Sequence, residues 1–119
     1  MKESPIFART YDFLRWLLPV TVQFPRAQRF VLAARVQETA LRFQEQLVDA
    51  GRSEQPAPIL AQADTDLAKL RLYLRLCRDL ELLRFNQYEH GQRMVDEIGR
   101  LMGGWRETVD PSVKAKRQR

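Results

Sequence analysis

The sequence predicts an all-α protein, an antiparallel up-down four-helix bundle. Three observations predict it. Apolar residues recur at three- and four-residue spacing in four segments. Proline and glycine mark the breaks between those segments. No stretch alternates as a strand or hairpin would. The 119 residues make one domain, with the bundle over 1–109 and a basic, disordered tail over 110–119. A hydrophobic content of 45% supplies a core, and charged residues of mixed sign argue against disorder in the body.

The first helix opens on Ser4 as N-cap with Pro5 at the first helical position. Phe7, Tyr11, Leu14 and Leu18 then share one face. Pro19 removes a hydrogen bond and crowds the preceding turn, so the helix is expected to kink or end near Leu18. Phe24-Pro25 marks the turn into a second helix, from Pro25 to Ala50. Its apolar positions are Phe30, Val31, Ala34, Leu41, Leu47 and Val48, broadened by Val36, Ala40 and Phe43. Gly51 fits a left-handed C′ residue, and Arg52 to Pro58 reads as a polar loop.

The third helix spans Ile59 to Leu83, with Leu60, Ala63, Leu67, Leu70, Leu74 and Cys77 in heptad-like spacing. Asn86 caps the fourth helix, and Glu89 three residues later completes an Asn-x-x-Glu capping box. Met94, Ile98, Leu101 and Trp105 form its inward stripe, while Gly103-Gly104 weaken its last turns.

The net charge of +5 is unevenly placed. The tail from Asp110 holds Lys114, Lys116, Arg117 and Arg119 against one acid, a net +3 that leaves the body at +2. Any polyanion-binding role therefore rests on where the body's charges sit. Cys77 is the one cysteine, so no disulfide can form within the chain, as suits a reducing cytoplasm. Its helical setting reads as a small buried hydrophobe. The opening Met1-Lys2-Glu3-Ser4-Pro5 lacks signal-peptide architecture. The apolar stretch from Phe13 to Val22, broken by Arg15 and Pro19, is too short to span a bilayer. A cytoplasmic protein with no membrane partner is expected.

Enzymatic signals are nearly absent. One histidine, His90, cannot build a Cys/His zinc set or the paired Glu-x-x-His motifs of a diiron bundle. No phosphate-cradling glycine loop and no nucleophile triad appears. No catalytic residue, metal ligand or cofactor is expected.

The basic residues say more. Phe24-Pro25-Arg26-Ala27-Gln28-Arg29-Phe30 opens the second helix with no acid before Glu38. Arginines there oppose the helix dipole, which points to an anionic partner or to simple solubility. On the third helix Arg71, Arg75 and Arg78 share a face, with Lys69 on another flank. Aligned guanidinium groups can fork onto phosphate oxygens. With Asp64, Asp66, Asp79 and Glu81 nearby, the same pattern also fits a solvated face laced with ion pairs. No aromatic platform for stacking bases is evident, so nucleic-acid contacts would fall on phosphates and depend steeply on salt.

Several strings together carry a family resemblance: Tyr11-Asp12-Phe13-Leu14-Arg15-Trp16-Leu17-Leu18-Pro19, Phe24-Pro25-Arg26-Ala27-Gln28-Arg29-Phe30-Val31-Leu32, Lys69-Leu70-Arg71 with Leu74-Arg75-Leu76-Cys77 and Asp79-Leu80, Gln87-Tyr88-Glu89, and Ile98-Gly99-Arg100-Leu101-Met102-Gly103-Gly104-Trp105. They resemble the accessory variability determinant (Avd) family of diversity-generating retroelements. That family lies within a wider bacterial four-helix-bundle group that includes proteins encoded in ribosomal RNA intervening sequences. The similarity covers about residues 5 to 106.

The resemblance implies a noncatalytic accessory subunit that forms a homopentamer. It implies binding to the retroelement reverse transcriptase and to RNA or cDNA, in support of mutagenic cDNA synthesis and retrohoming. It also implies that Arg26, Arg29, Lys69, Arg71, Arg75 and Arg78, which sit in the matching motifs, bind nucleic acid or reverse transcriptase. Five copies would gather about +10 from the bodies and about +15 from the tails on one particle. The alternative is a protein–protein adaptor of the intervening-sequence type with no nucleic-acid role.

Overall fold

The computed structural model describes residues 4–117, with side chains to Lys114. The Met1-Lys2-Glu3 string and the tail's Arg119 lie outside the described residues. The chain is all-helical. In order it forms α1 (Pro5–Val22), α2 (Arg26–Gln28), a π-helical turn (Arg29–Ala33), α3 (Ala34–Arg52), α4 (Pro56–Asp79), α5 (Phe85–Val109) and α6 (Pro111–Arg117).

The four long helices touch in a closed cycle: α1 packs on α3 and α5, and α4 packs on the other sides of both. Residues early in α1 lie beside residues late in its neighbours. The Phe7 ring approaches Gly51 at the end of α3 and sits 5.9 Å from the Trp105 ring on α5. Later in α1, the Gln37 amide donates to the Thr21 hydroxyl at 2.8 Å. Between the helices lies one buried cluster that includes Ile6, Phe13, Leu17, Phe43, Leu47, Leu60, Leu67, Leu70, Leu74, Ile98 and Met102.

The first helix runs through Pro19 to Val22 rather than ending near Leu18. Pro19 leaves the Arg15 carbonyl without its helical donor, but both residues are exposed, so water can serve that oxygen. The Thr21 hydroxyl reinforces the last turn by donating to the Leu17 and Leu18 carbonyls. The buried face is Ile6, Thr10, Phe13, Leu14, Leu17 and Thr21, rotated from the expected stripe, and Tyr11 lies exposed.

A π-helical turn alters the second segment. The Ala34 N–H donates to the Arg29 carbonyl, five residues back. That inserts one residue and shifts the phase of the chain before it. Leu32 and Ala33 are buried, while Phe30 and Val31, expected inside, are 81% and 74% exposed.

Gly51 is not the left-handed residue. It stays helical in α3, which ends at Arg52. The one positive φ among described residues belongs to Glu81, at 61°. It closes α4 in a Schellman motif, with the Leu82 N–H on the Cys77 carbonyl and the Glu81 N–H on the Arg78 carbonyl. Helix α4 also starts earlier than expected, with Pro56 in its first turn, so Ser53–Gln55 is all the loop there is.

The N-cap of α5 is Arg84 rather than Asn86. The Arg84 N–H donates to the Gln87 side chain at 2.9 Å, so the expected reciprocal bond forms two residues earlier. Gly103-Gly104 lie inside α5, which continues to Val109. Its buried residues are Gly91, Val95, Ile98 and Met102. Met94, Leu101 and Trp105, expected inward, flank the core half-buried. Beyond Asp110, where the sequence suggests a disordered tail, the chain forms α6 with Val113 buried.

Candidate nucleic-acid interface

Helix α4 buries one face, and three other strips remain. One strip faces α5, one faces α3, and one is bare. Arg71, Arg75 and Arg78 fall on the strip facing α5, along the seam between the two helices.

Each arginine is held differently. The Arg71 guanidinium lies across Gly99, where an added Cβ would sit 2.6 Å from its Nη2. From there Nη2 reaches Asp96 Oδ1 of α5 at 3.4 Å. Arg78 stacks 4.6 Å above the Tyr88 ring of α5. It also donates from Nε and Nη2 to Asp79 Oδ1, at 3.1 and 2.9 Å. Arg75, between them, is exposed and carries no ion pair among the described residues.

These pairings are weak. Arg71 and Asp96 are both well exposed, and such surface pairs stabilise by about 0–1 kcal/mol. A partly exposed cation–π contact such as Arg78 on Tyr88 adds about 0.5–1 kcal/mol. A charge-assisted bond to phosphate is worth as much or more, so both arginines can exchange partners.

The other three residues lie elsewhere. Lys69 occupies the strip of α4 facing α3, with its Nζ 3.8 Å from Asp66 Oδ1. Asp66 is buried, and Arg42 of α3 grips both its oxygens, from Nε at 2.9 Å and Nη2 at 3.0 Å. The hydrogen bond to Asp66 raises the Arg42 pKa, against a smaller lowering by burial. This corner is a structural tie, and Lys69 screens the buried carboxylate from its open side.

Arg29 donates from Nε to the Phe24 carbonyl at 3.0 Å and so fastens the α1–α2 corner. Arg26, the first residue of α2, is exposed and unpaired among the described residues. The structure thus brings Arg71, Arg75 and Arg78 together, places Lys69 on another strip of the same helix, and places Arg26 and Arg29 on other elements.

Several functional candidates escaped sequence reasoning. Arg93 and Arg100 are exposed on α5 and unpaired among the described residues. Their seven-residue spacing was the available signal. Tyr88 and Gly99 position Arg78 and Arg71 across the seam, which no local pattern reveals. Farther along the seam, Arg106 of α5 pairs with Asp64 of α4 at 3.0 Å.

His90 is exposed and meets the Trp16 ring edge-on at 5.3 Å. Gly91 beside it makes room for Trp16, whose ring would lie 3.0 Å from an added Cβ. Cys77 is buried and free, and burial pushes its thiol up to about 11. Among the described residues no cluster of three metal-ligating side chains forms, and no helix is long and apolar enough to cross a membrane.

A bare apolar strip runs up α4. Leu72, Leu76 and Leu80 recur every four residues, at 59%, 41% and 49% exposure. Phe30 and Val31, on the π-helical turn, are large exposed hydrophobic residues as well.

No curated protein matches the chain. The profile of the bAvd-like family matches residues 6–109, from the start of α1 to the end of α5. Those residues include the whole arginine seam and leave out α6. The chain therefore belongs to the bAvd-like family, in agreement with the resemblance of its motifs to the accessory variability determinants of diversity-generating retroelements.

Proposed function

We propose that the chain is a noncatalytic accessory subunit of a diversity-generating retroelement. It binds RNA or cDNA along the α4–α5 seam and docks the reverse transcriptase, supporting mutagenic cDNA synthesis and retrohoming in the cytoplasm. Family membership supports the retroelement setting. The single observation that carries nucleic-acid binding is the alignment of Arg71, Arg75 and Arg78, one unpaired and two held only by weak surface contacts.

The architecture belonging to this reading is the antiparallel up-down four-helix bundle. Its support is the run of seam pairs Asp64–Arg106, Arg71–Asp96 and Arg78–Tyr88, whose numbers rise on α4 as they fall on α5. The reading also includes a homopentamer. The apolar strips on α4 and on the π-helical turn support self-association, and five copies would multiply the charge of a mildly basic body.

The test is RNA binding by the triple variant Arg71→Ala/Arg75→Ala/Arg78→Ala, with helicity monitored by circular dichroism. Weaker binding with unchanged helicity is expected. Unchanged affinity at low salt would remove the seam from the mechanism. An adaptor without a nucleic-acid role predicts no RNA retention at any ionic strength alongside tight co-purification with a protein partner.

A further inference from the structure

The arginine seam ends beside an exposed aromatic ring. Phe85, the first residue of α5, is 64% exposed. Its direction follows from its helix. Gln92 and Asp96 stand seven and eleven residues on, close to whole numbers of turns, and so share its face. Both meet α4: the Gln92 amide donates to the Arg71 carbonyl at 3.5 Å, and Asp96 pairs with the Arg71 side chain. Phe85 therefore continues the α4-facing side of α5 to its first turn. Tyr88 lies one turn farther on, and its ring carries the Arg78 guanidinium at 4.6 Å. The corner that joins the two helices is firm, because Glu81 closes α4 and Leu83 is buried.

The surroundings of Phe85 suit one kind of occupant. Arg84, the residue before it, is exposed, and Arg78 reaches across the seam to Tyr88. The acids close by are Asp79, already bonded to Arg78, and Glu89, one turn on from Phe85. The core of a protein–protein interface is depleted in charge, so a ring set among these groups fits one poorly. The bare strip of Leu72, Leu76 and Leu80 runs up another side of α4. A nucleotide in a single strand joins a flat base to a phosphate, and takes an aromatic face beside an arginine.

We propose that Phe85 is a base-stacking subsite at the end of the α4–α5 seam. A nucleobase of a single strand lies on its ring, while Arg78, held over Tyr88, takes a neighbouring phosphate. This rests on the reading of the seam as an RNA-binding surface and adds a preference for unpaired bases, whose faces are free to stack. No run of aromatic residues in the sequence marks the subsite, because the ring and Arg78 belong to different helices. The two contacts differ in their response to salt. Each phosphate neutralised contributes about 0.7 to the salt slope on a single strand, whereas stacking neutralises none.

The experiment uses the full-length chain and the variants Phe85→Leu, which removes the ring but stays apolar, and Phe85→Trp, which keeps a ring. Fluorescence anisotropy gives affinity from about 50 to 200 mM salt for a uridine RNA and for an abasic strand with the same number of phosphates. The full-length chain and Phe85→Trp should prefer the uridine RNA. Phe85→Leu should bind that RNA roughly tenfold more weakly, with an unchanged salt slope and unchanged affinity for the abasic strand. Equal binding of both strands by the full-length chain, or equal losses on both strands in Phe85→Leu, would overturn the stacking subsite and leave the seam standing. Failure of the full-length chain to bind either strand would overturn both. A changed oligomeric state of Phe85→Leu in light scattering, with full affinity for the uridine RNA, would assign the ring to a contact between copies and overturn the proposal.

Discussion

The three seam arginines are not equivalent, and their differences can be measured one at a time. Arg75 has no partner to give up, so each bond it makes to phosphate is gained in full. Arg71 must first leave Asp96, and Arg78 must leave Asp79 and part of its contact with Tyr88. A charge-assisted hydrogen bond contributes about 1.5–3 kcal/mol, and each exposed pair already holds up to about 1 kcal/mol of that. Arg75→Ala should therefore weaken RNA binding by roughly 2 kcal/mol, about thirtyfold, and Arg71→Ala or Arg78→Ala by roughly 1 kcal/mol, about fivefold. Asp96→Asn frees Arg71 and removes a repulsive charge, so it should tighten binding, by about threefold to tenfold. Anisotropy with one labelled RNA at 50 mM salt reads all four variants. Binding that ignores Arg75→Ala, or that weakens on Asp96→Asn, refutes the reasoning.

Three further outcomes test the fold. Glu81→Gly relieves a left-handed residue and should stabilise the chain by about 1 kcal/mol in urea unfolding, with a loss of stability counting against the Schellman assignment. Arg42→Ala strands the buried Asp66 carboxylate and should cost about 3–5 kcal/mol, more than the roughly 2 kcal/mol for Asp66→Ala, because the partly exposed Arg42 can turn to water. Equal, small losses would show that the tie is not structural. For Cys77 the sign follows from which state keeps its proton: an unfolded thiol ionises near 9.0 and the buried one only near about 11. Its contribution is complete below pH 9 and is lost as pH rises from about 9 to 11, by about 3 kcal/mol in all. Unfolding followed from pH 8 to 11 should show that loss in the native chain and not in Cys77→Ala, and parallel curves would contradict it.

What was legible in the sequence was what repeats locally. Leu60, Ala63, Leu67, Leu70, Leu74 and Cys77 follow one another at helical spacing, and all are buried. Helix α1 misled because two of its core positions are the threonines Thr10 and Thr21, while the apolar Tyr11 and Leu18 sit on its flank. The hydroxyl of Thr21 finds backbone carbonyls, so a polar residue can occupy a face that hydropathy assigns to carbon. Phe30, Val31, Leu41 and Val48 are apolar yet exposed, because the second segment buries the face of Val36, Thr39, Ala40, Phe43, Leu47 and Ala50, and apolar residues scattered around a helix do not by themselves mark its inward face. Glycine favours the left-handed region, which points to Gly51, whereas the chain sets that conformation at Glu81, where α4 ends.

At the site, the spacing of Arg71, Arg75 and Arg78 was readable and their shared face followed from it. Their neighbours were not, because Asp96, Tyr88 and Gly99 approach from another helix 10 or more residues away in sequence. The separation of Lys69 from the seam was visible as a difference of flank. Its role beside the Arg42–Asp66 tie depended on α3 and was not visible.

Photo-cross-linking of a short uridine-rich RNA to the full-length chain, with the attached peptides mapped by mass spectrometry, addresses the interface most directly. Attachment concentrated on the α4 and α5 segments that border Arg71, Arg75 and Arg78, and lost in the triple alanine variant, is the predicted result. Attachment confined to other helices, or none at 50 mM salt, would contradict it.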